Sequence, residues 1–120
     1  MNILLVEDDP ILRKALCQCL TGQGHHLRCA ADGSEALQRL QEGVPHLVIS
    51  DIDIPQVDGI ELLKHIQQHF AGTPVVLMTG HGGVGDTSAA FKYGAYGYLQ
   101  KPIEMEALIA GIQRLEETVT

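Results

Sequence analysis

Residues 47–59 read Leu47-Val48-Ile49-Ser50-Asp51-Ile52-Asp53-Ile54-Pro55-Gln56-Val57-Asp58-Gly59. The first four carry the chain through an apolar interior and deliver Asp51 to the end of the run. Pro55 and Gly59 then interrupt the backbone before a helical pattern begins. A carboxylate at the tip of a buried strand does not serve packing. Left charged and unpaired in a low-dielectric setting, it costs several kcal/mol or shifts its pKa. Other parts of the chain must answer Asp51.

Working outward, the same strand-then-helix unit recurs. Ile3-Leu4-Leu5-Val6 is a short buried-strand pattern, followed by the acidic turn Glu7-Asp8-Asp9-Pro10. Asp9 is placed to cap a helix with Pro10 in its first turn. That helix carries Ile11, Leu12, Ala15, Leu16, Cys19 and Leu20 on one face and ends at Gly22 or Gly24. His26 to Ala30 is a second, more polar strand. After the Asp32-Gly33-Ser34 turn a helix directs Ala36, Leu37 and Leu40 inward. Beyond Gly59, Leu62, Leu63, Ile66 and Phe70 trace a third helical stripe. Val75-Val76-Leu77-Met78 is a fourth strand ending at Thr79. The loop Gly80-His81-Gly82-Gly83 leads to a weak helix over Thr87–Tyr93, and Tyr96 to Gln100 is a fifth strand before Lys101-Pro102. A last helix presents Met105, Leu108, Ile109, Ile112 and Leu115.

Five strands alternating with five helices specify an α/β domain, a single doubly wound parallel sheet of flavodoxin-like type. The first, third and fourth runs are continuously apolar, as strands covered on both faces are. The second and fifth are more polar and belong at the edges. Right-handed crossovers then favour the order 2-1-3-4-5, with ligands bound outside the carboxyl ends of the strands.

Composition agrees. The chain has 120 residues, enough for one domain and one core. It is 45% hydrophobic and 19% charged, ordinary globular usage, without repeat or low-complexity tract. Its formal charge of −7 disfavours direct binding to nucleic acid or an anionic membrane. The 4% aromatic content without Trp argues against an aromatic-lined sugar or nucleotide site. No apolar run spans a bilayer and no signal-peptide pattern follows Met1, so a cytoplasmic domain is expected. Cys17, Cys19 and Cys29 form no C-x-x-C pair and read as small packing residues. His65 and His69 stand four apart on one helix, but without an accompanying zinc motif they read as exposed residues.

Four strand ends feed polar groups to the expected crevice: Glu7 with Asp8, Asp51, Thr79, and Lys101. Carboxylates gathered at one spot repel one another, and a hard divalent cation such as Mg²⁺ relieves this. Lys101 adds an ammonium and Thr79 a hydroxyl donor. The set describes a site for a tetrahedral dianion beside a metal, with one carboxylate free to attack phosphorus.

The chain resembles, over nearly its whole length, the receiver domain of two-component response regulators. The matching stretches are Ile3 to Pro10, Asp51 to Gly59, Met78-Thr79-Gly80-His81, and Gly94-Ala95-Tyr96-Gly97-Tyr98-Leu99-Gln100-Lys101-Pro102. The last two resemble receivers attached to transcriptional activators. The resemblance implies that Asp51 accepts a phosphoryl group from a histidine kinase or phosphotransfer domain. It implies that Glu7, Asp8, Asp51 and the Asp53 carbonyl hold Mg²⁺, with Mn²⁺ as a substitute, and that Thr79 and Lys101 bind the phosphoryl oxygens. By the same analogy the Lys101-Pro102 bond is cis. Tyr98 matches an aromatic switch that turns inward when Thr79 is drawn toward the phosphoryl group, altering the surface of the fourth helix, fifth strand and fifth helix. Residues 1–120 are then one receiver domain; an output domain would follow residue 120, and the resemblance is compatible with a phosphorylation-dependent dimer. It implies a signalling domain with slow autodephosphorylation, not an enzyme.

Asp53 departs from the usual pattern, which often has an apolar residue there, and its side chain would alter autodephosphorylation if it faced the site. By the same analogy His81, two residues after Thr79, would stand beside the path of the attacking water and influence hydrolysis or partner choice; otherwise it reads as a loop residue. Two rivals remain. Asp51-Ile52-Asp53 is superficially similar to the Asp-x-Asp motif of haloacid-dehalogenase-like phosphatases, but that motif belongs on a first strand and needs room for a substrate site. A phosphorylation-independent interaction module of the same fold predicts loss of an acidic, Thr or Lys position, and none is lost.

Overall fold

The computed structural model describes residues 1–80 and 91–119. Its strands are β1 (Asn2–Val6), β2 (His26–Ala30), β3 (Leu47–Asp51), β4 (Val75–Thr79) and β5 (Gly97–Gln100). They form one parallel sheet in the order β2-β1-β3-β4-β5, as expected. The helices among the described residues are α1 (Pro10–Gly22), α2 (Gly33–Glu42), α3 (Gly59–His69) and α4 (Met105–Val119). The helix α4 is the fifth helix of the sequence pattern. Most of the expected helix over Thr87–Tyr93 lies outside the described residues, as does His81; Phe91 and Lys92 have helical backbone.

Local chemistry starts each helix. Asp9, Asp32 and Asp58 all have extended backbone and accept from the amides of Ile11, Glu35 and Glu61, so each occupies the N-cap. At the other end of α1, Gly24 adopts φ +93°, the left-handed region that glycine enters without steric cost.

Each face of the sheet has its own apolar layer. Leu4, Val6, Val48, Val75 and Leu77 pack with Ala36, Leu40, Leu62, Leu63 and Ile66 of α2 and α3. Ile3, Leu5, Ile49 and Met78 pack with Leu16 and Leu20 of α1 and Leu108, Ile112 and Leu115 of α4. Alternation along the strands sends successive side chains to opposite layers. All five residues of β3 are buried, as a central strand requires, whereas no residue of β5 is.

The α1 face differs from its expected composition. Leu16 and Leu20 are buried and Leu12 packs beside them, but Ala15 is exposed and Ile11 is 81% exposed. At 3.6 residues per turn, Ile11 lies about 140° around the helix from Leu16 and about 180° from Leu20. The true stripe runs through positions 12, 16 and 20. The three cysteines are free, as expected; burial, with Cys17 beside it, raises the Cys29 thiol to about 11.

Candidate functional site

The site forms where β1, β3 and β4 end and the chain leaves β5. Glu7 follows β1 and is fully buried, although it is charged in water. Its polar groups are all engaged: the N–H donates to Ala30 O at 3.0 Å, and the carbonyl accepts from Arg13 Nη1 at 2.8 Å. Its Oε2 accepts from the Asp9 N–H at 3.1 Å, and its Oε1 lies 2.8 Å from Lys101 Nζ. Asp51, 4% exposed, ends β3. Its Oδ2 lies 2.5 Å from the same ammonium, and its Oδ1 accepts from the Asp53 N–H at 3.0 Å.

Lys101 thus joins two strands from a third. Its backbone N–H donates to Thr79 O at 2.7 Å, which registers it against the end of β4, and the Lys101-Pro102 bond is cis. Burial alone pushes the ammonium toward deprotonation, but the hydrogen bonds and charges of Asp51 and Glu7 outweigh it, and its pKa is held above the ordinary lysine value. Burial is also the largest influence on Glu7. Its contacts with Lys101 and the Asp9 amide pull down, the Asp51 charge pushes up, and the net direction is upward. One ammonium is shared by two buried carboxylates.

Asp8 completes the acidic set from an exposed position. One carboxylate oxygen from each of Glu7, Asp8 and Asp51 lies within 4.8 Å of the others. Three oxygens converging from two strand ends, one of them open to solvent, suit a hard divalent cation that retains water in its shell. The cluster could therefore hold a metal ion. Asp53 is exposed and its carboxylate is not part of this cluster; only its N–H reaches Asp51.

Thr79, the last residue of β4, is fully buried. The β4–β5 register pairs Leu77 with Tyr98 and Thr79 with Gln100, so Thr79 and Tyr98 belong to the α2/α3 side of the sheet. Tyr98 is half-buried and packs against that layer, and its hydroxyl is buried without a hydrogen-bond partner among the described residues. The expectation has this ring turning inward on phosphorylation; here the hydroxyl is already inside. Tyr93 packs against the same layer with Lys64 Nζ 4.3 Å from its ring centroid, and Tyr96 is 48% exposed.

His65 and His69 bring their rings to 4.5 Å, and burial, then His69, lowers the His65 pKa. No third ligand joins them among the described residues. Sequence reasoning missed Arg13 and Ser50. Arg13 ties α1 to the Glu7 carbonyl, and the Ser50 hydroxyl donates to Asp51 O at 2.9 Å. Arg13 lies one helical turn beyond the Asp9 cap, a position from which a long side chain reaches back over the preceding loop; Ser50 is a polar residue inside an otherwise apolar strand.

The response regulator receiver domain family matches residues 3–113. The transcriptional regulatory protein GlrR of Escherichia coli is 39% identical over 111 residues, covering 92% of this chain and 25% of that protein. A solved structure of a putative response regulator from Chloroflexus aurantiacus is 34% identical with a TM-score of 0.89, covering 95% of each chain. NtrX from Brucella abortus is 34% identical with a TM-score of 0.90, covering 98% of this chain and 27% of its own. The chain thus spans about a quarter of the length of GlrR and NtrX.

Proposed function

The chain belongs to the response regulator receiver domain family, and from that premise we propose that it is a phosphorylation-operated signalling switch with Asp51 as the phosphoacceptor. The observation that carries this reading is the Lys101 ammonium set between Glu7 and Asp51 at the carboxyl ends of the strands. It holds Asp51 in one orientation and supplies positive charge where phosphoryl oxygens would arrive. The donor is a phosphohistidine of a kinase or phosphotransfer domain. Its N–P bond breaks, an O–P bond to Asp51 forms, and the imidazole leaves. The attacking carboxylate oxygen becomes the bridging oxygen of an acyl phosphate, so Lys101 changes partners from carboxylate to phosphoryl oxygen.

Glu7, Asp8, Asp51 and the Asp53 carbonyl would hold Mg²⁺, or Mn²⁺, which supplies charge neutralisation to the phosphoryl group. Thr79 binds a phosphoryl oxygen through its hydroxyl. Movement of Thr79 alters the space beside Tyr98, two positions back in the register, and so the surface made by β5 and α4. The hydroxyl, without a partner among the described residues, supports a switch role, because a buried hydroxyl that makes no hydrogen bond trades its position easily for another. A C-terminal output domain, as the transcriptional regulatory names of relatives imply, and a second phosphorylated receiver are the partners this surface would serve. No helix among the described residues is long and apolar enough to cross a membrane; a cytoplasmic setting beside the kinase fits the proposal. Slow autodephosphorylation is the only hydrolysis expected.

The test is Mg²⁺-dependent labelling by a small acyl phosphate. Wild-type protein should gain one phosphoryl group, and Asp51→Asn should gain none. Labelling that survives Asp51→Asn overturns the assignment.

A further inference from the structure

The loop after β3 is held from outside the site, and Gly33 does the holding. Its N–H donates to Pro55 O at 3.0 Å as α2 begins. A Cβ at Gly33 would lie 2.1 Å from Val57 O and 2.6 Å from Val57 Cβ, so no side chain fits without moving the loop. The demand here is for close approach: Gly33 is buried and opens a helix already capped by Asp32. Between its two contacts, Gln56 adopts φ 73°, the left-handed region that non-glycine residues enter at a cost. At the loop's other end the Gly59 N–H donates to Ile52 O at 2.8 Å, and a Cβ there would lie 2.5 Å from Asp51 O.

The loop is therefore closed on itself by Gly59 and braced at its outer tip by α2. What its inner end presents is the Asp53 N–H, 3.0 Å from Asp51 Oδ1. The other oxygen of Asp51 is held by Lys101, a long side chain able to follow small movements. The Asp53 N–H follows only the loop.

We infer that Gly33 is a positioning residue for the chemistry of Asp51: through Pro55 and Val57 it sets the loop that aims Asp51 Oδ1 and places the Asp53 backbone. This rests on the phosphoacceptor reading of Asp51. An ordinary van der Waals contact needs about 3.4 Å or more, so a methyl group at Gly33 displaces the loop by roughly 1 Å, and displacements of that size cost on the order of 100-fold in rate.

The experiment measures acyl-phosphate phosphorylation rate and Mg²⁺ affinity for wild type, Gly33→Ala, Ser34→Ala and Leu40→Ala. Ser34 is the exposed next residue; Leu40 is buried at the far end of α2, so its truncation lowers stability without reaching the loop. Gly33→Ala should react at least tenfold more slowly and bind Mg²⁺ more weakly, while the two controls stay within twofold of wild type. Equal rates and affinities for Gly33→Ala and wild type overturn the inference, and so does an equal loss in Leu40→Ala, which would make the effect one of stability. A wild-type protein that takes no label fails the phosphoacceptor reading instead. Should Gly33→Ala not fold, amide exchange in the wild type decides. Mg²⁺ should slow exchange at both Asp53 and Gly33, and slowing at Asp53 alone overturns the proposal.

Discussion

The two edges of the sheet are built on opposite principles. At the β2 edge a charged side chain in mid-strand is fully used: Arg28 donates from Nη1 to Arg39 O at 3.0 Å and from Nη2 to Gly43 O at 2.6 Å. The Arg39 carbonyl also accepts from the N–H of Gly43, the residue that caps α2, so Arg28 clamps the C-terminal end of that helix. At the β5 edge the mid-strand polar atom, the Tyr98 hydroxyl, is buried without a hydrogen-bond partner among the described residues. On the opposite face of the same edge, a groove of about 200 Å³ opens between the strand and α4, lined by Val76, Leu99, Leu108 and Ile112 among others. One edge is a brace and the other has room to rearrange. A signal from the site between them would therefore travel toward β5, and Lys101, the residue that leaves β5, already touches both buried carboxylates.

The largest effect should come from cutting that link. Lys101→Met keeps most of the side-chain volume but leaves Glu7 and Asp51 facing each other without a cation. Removing one partner from a buried ion pair typically costs 3–5 kcal/mol. With Lys101 itself 23% exposed, a loss of about 3 kcal/mol is expected at neutral pH without divalent ions. Urea denaturation measures it, and Mg²⁺ should restore part of the loss by taking the place of the ammonium. A variant as stable as wild type would mean that Lys101 does not tie the loose edge to β1 and β3. A loss that Mg²⁺ leaves untouched would remove the metal from the acidic cluster.

The brace is tested by Arg28→Met, which retains the apolar stem and deletes both hydrogen bonds. Part of this contact is open to solvent, so the expected loss is about 1–2 kcal/mol. The phosphorylation rate should remain within twofold of wild type, because the change lies at the other end of α2 from Gly33. A rate that falls with stability would show that the β2 edge is coupled to the site, and the contrast between the edges would fail.

Much of this design is legible in the residues themselves. Continuous apolar runs at Ile3–Val6, Leu47–Ile49 and Val75–Met78 mark the covered strands, and the strand order follows from them. The charged residues at their ends assemble in space because every strand of a parallel sheet delivers its carboxyl end to the same side. Contacts set by lateral distance are not legible. Arg28 reads as a polar residue in a weak strand until α2 is docked above it. Ile11 reads as part of the α1 face because five other apolar residues surround it in sequence, and only the docked angle of the helix leaves it in solvent. Gly33 reads as a turn residue, since nothing local reveals that the backbone of Val57 fills the space where its side chain would be. The inward position of the Tyr98 hydroxyl likewise depends on rotamer and neighbours, which alternation in β5 does not specify.

The smallest effect is the most discriminating, because its sign opposes the others. Tyr98→Phe removes a hydroxyl that has been taken from water without a partner among the described residues and keeps the ring that packs on the α2/α3 layer. Leaving a buried hydroxyl unpaired costs about 1–3 kcal/mol, part of which the surroundings recover by relaxing. The substitution should therefore stabilise the protein by about 0.5–1 kcal/mol, a rise of a few degrees in Tm for a domain of this size. Calorimetry of the two proteins side by side measures it. A loss of stability would mean that the hydroxyl finds a partner in solution, and the β5 edge would then be braced much as the β2 edge is. The same pair of proteins sharpens the functional contrast when beryllofluoride and Mg²⁺ are added to imitate the phosphorylated state. If the phosphorylated form gives the hydroxyl a partner or returns it to water, wild type gains something on activation that the Tyr98→Phe variant cannot. The Tm advantage of the variant should then shrink or reverse on addition, whereas an advantage of unchanged size would confine Tyr98 to packing.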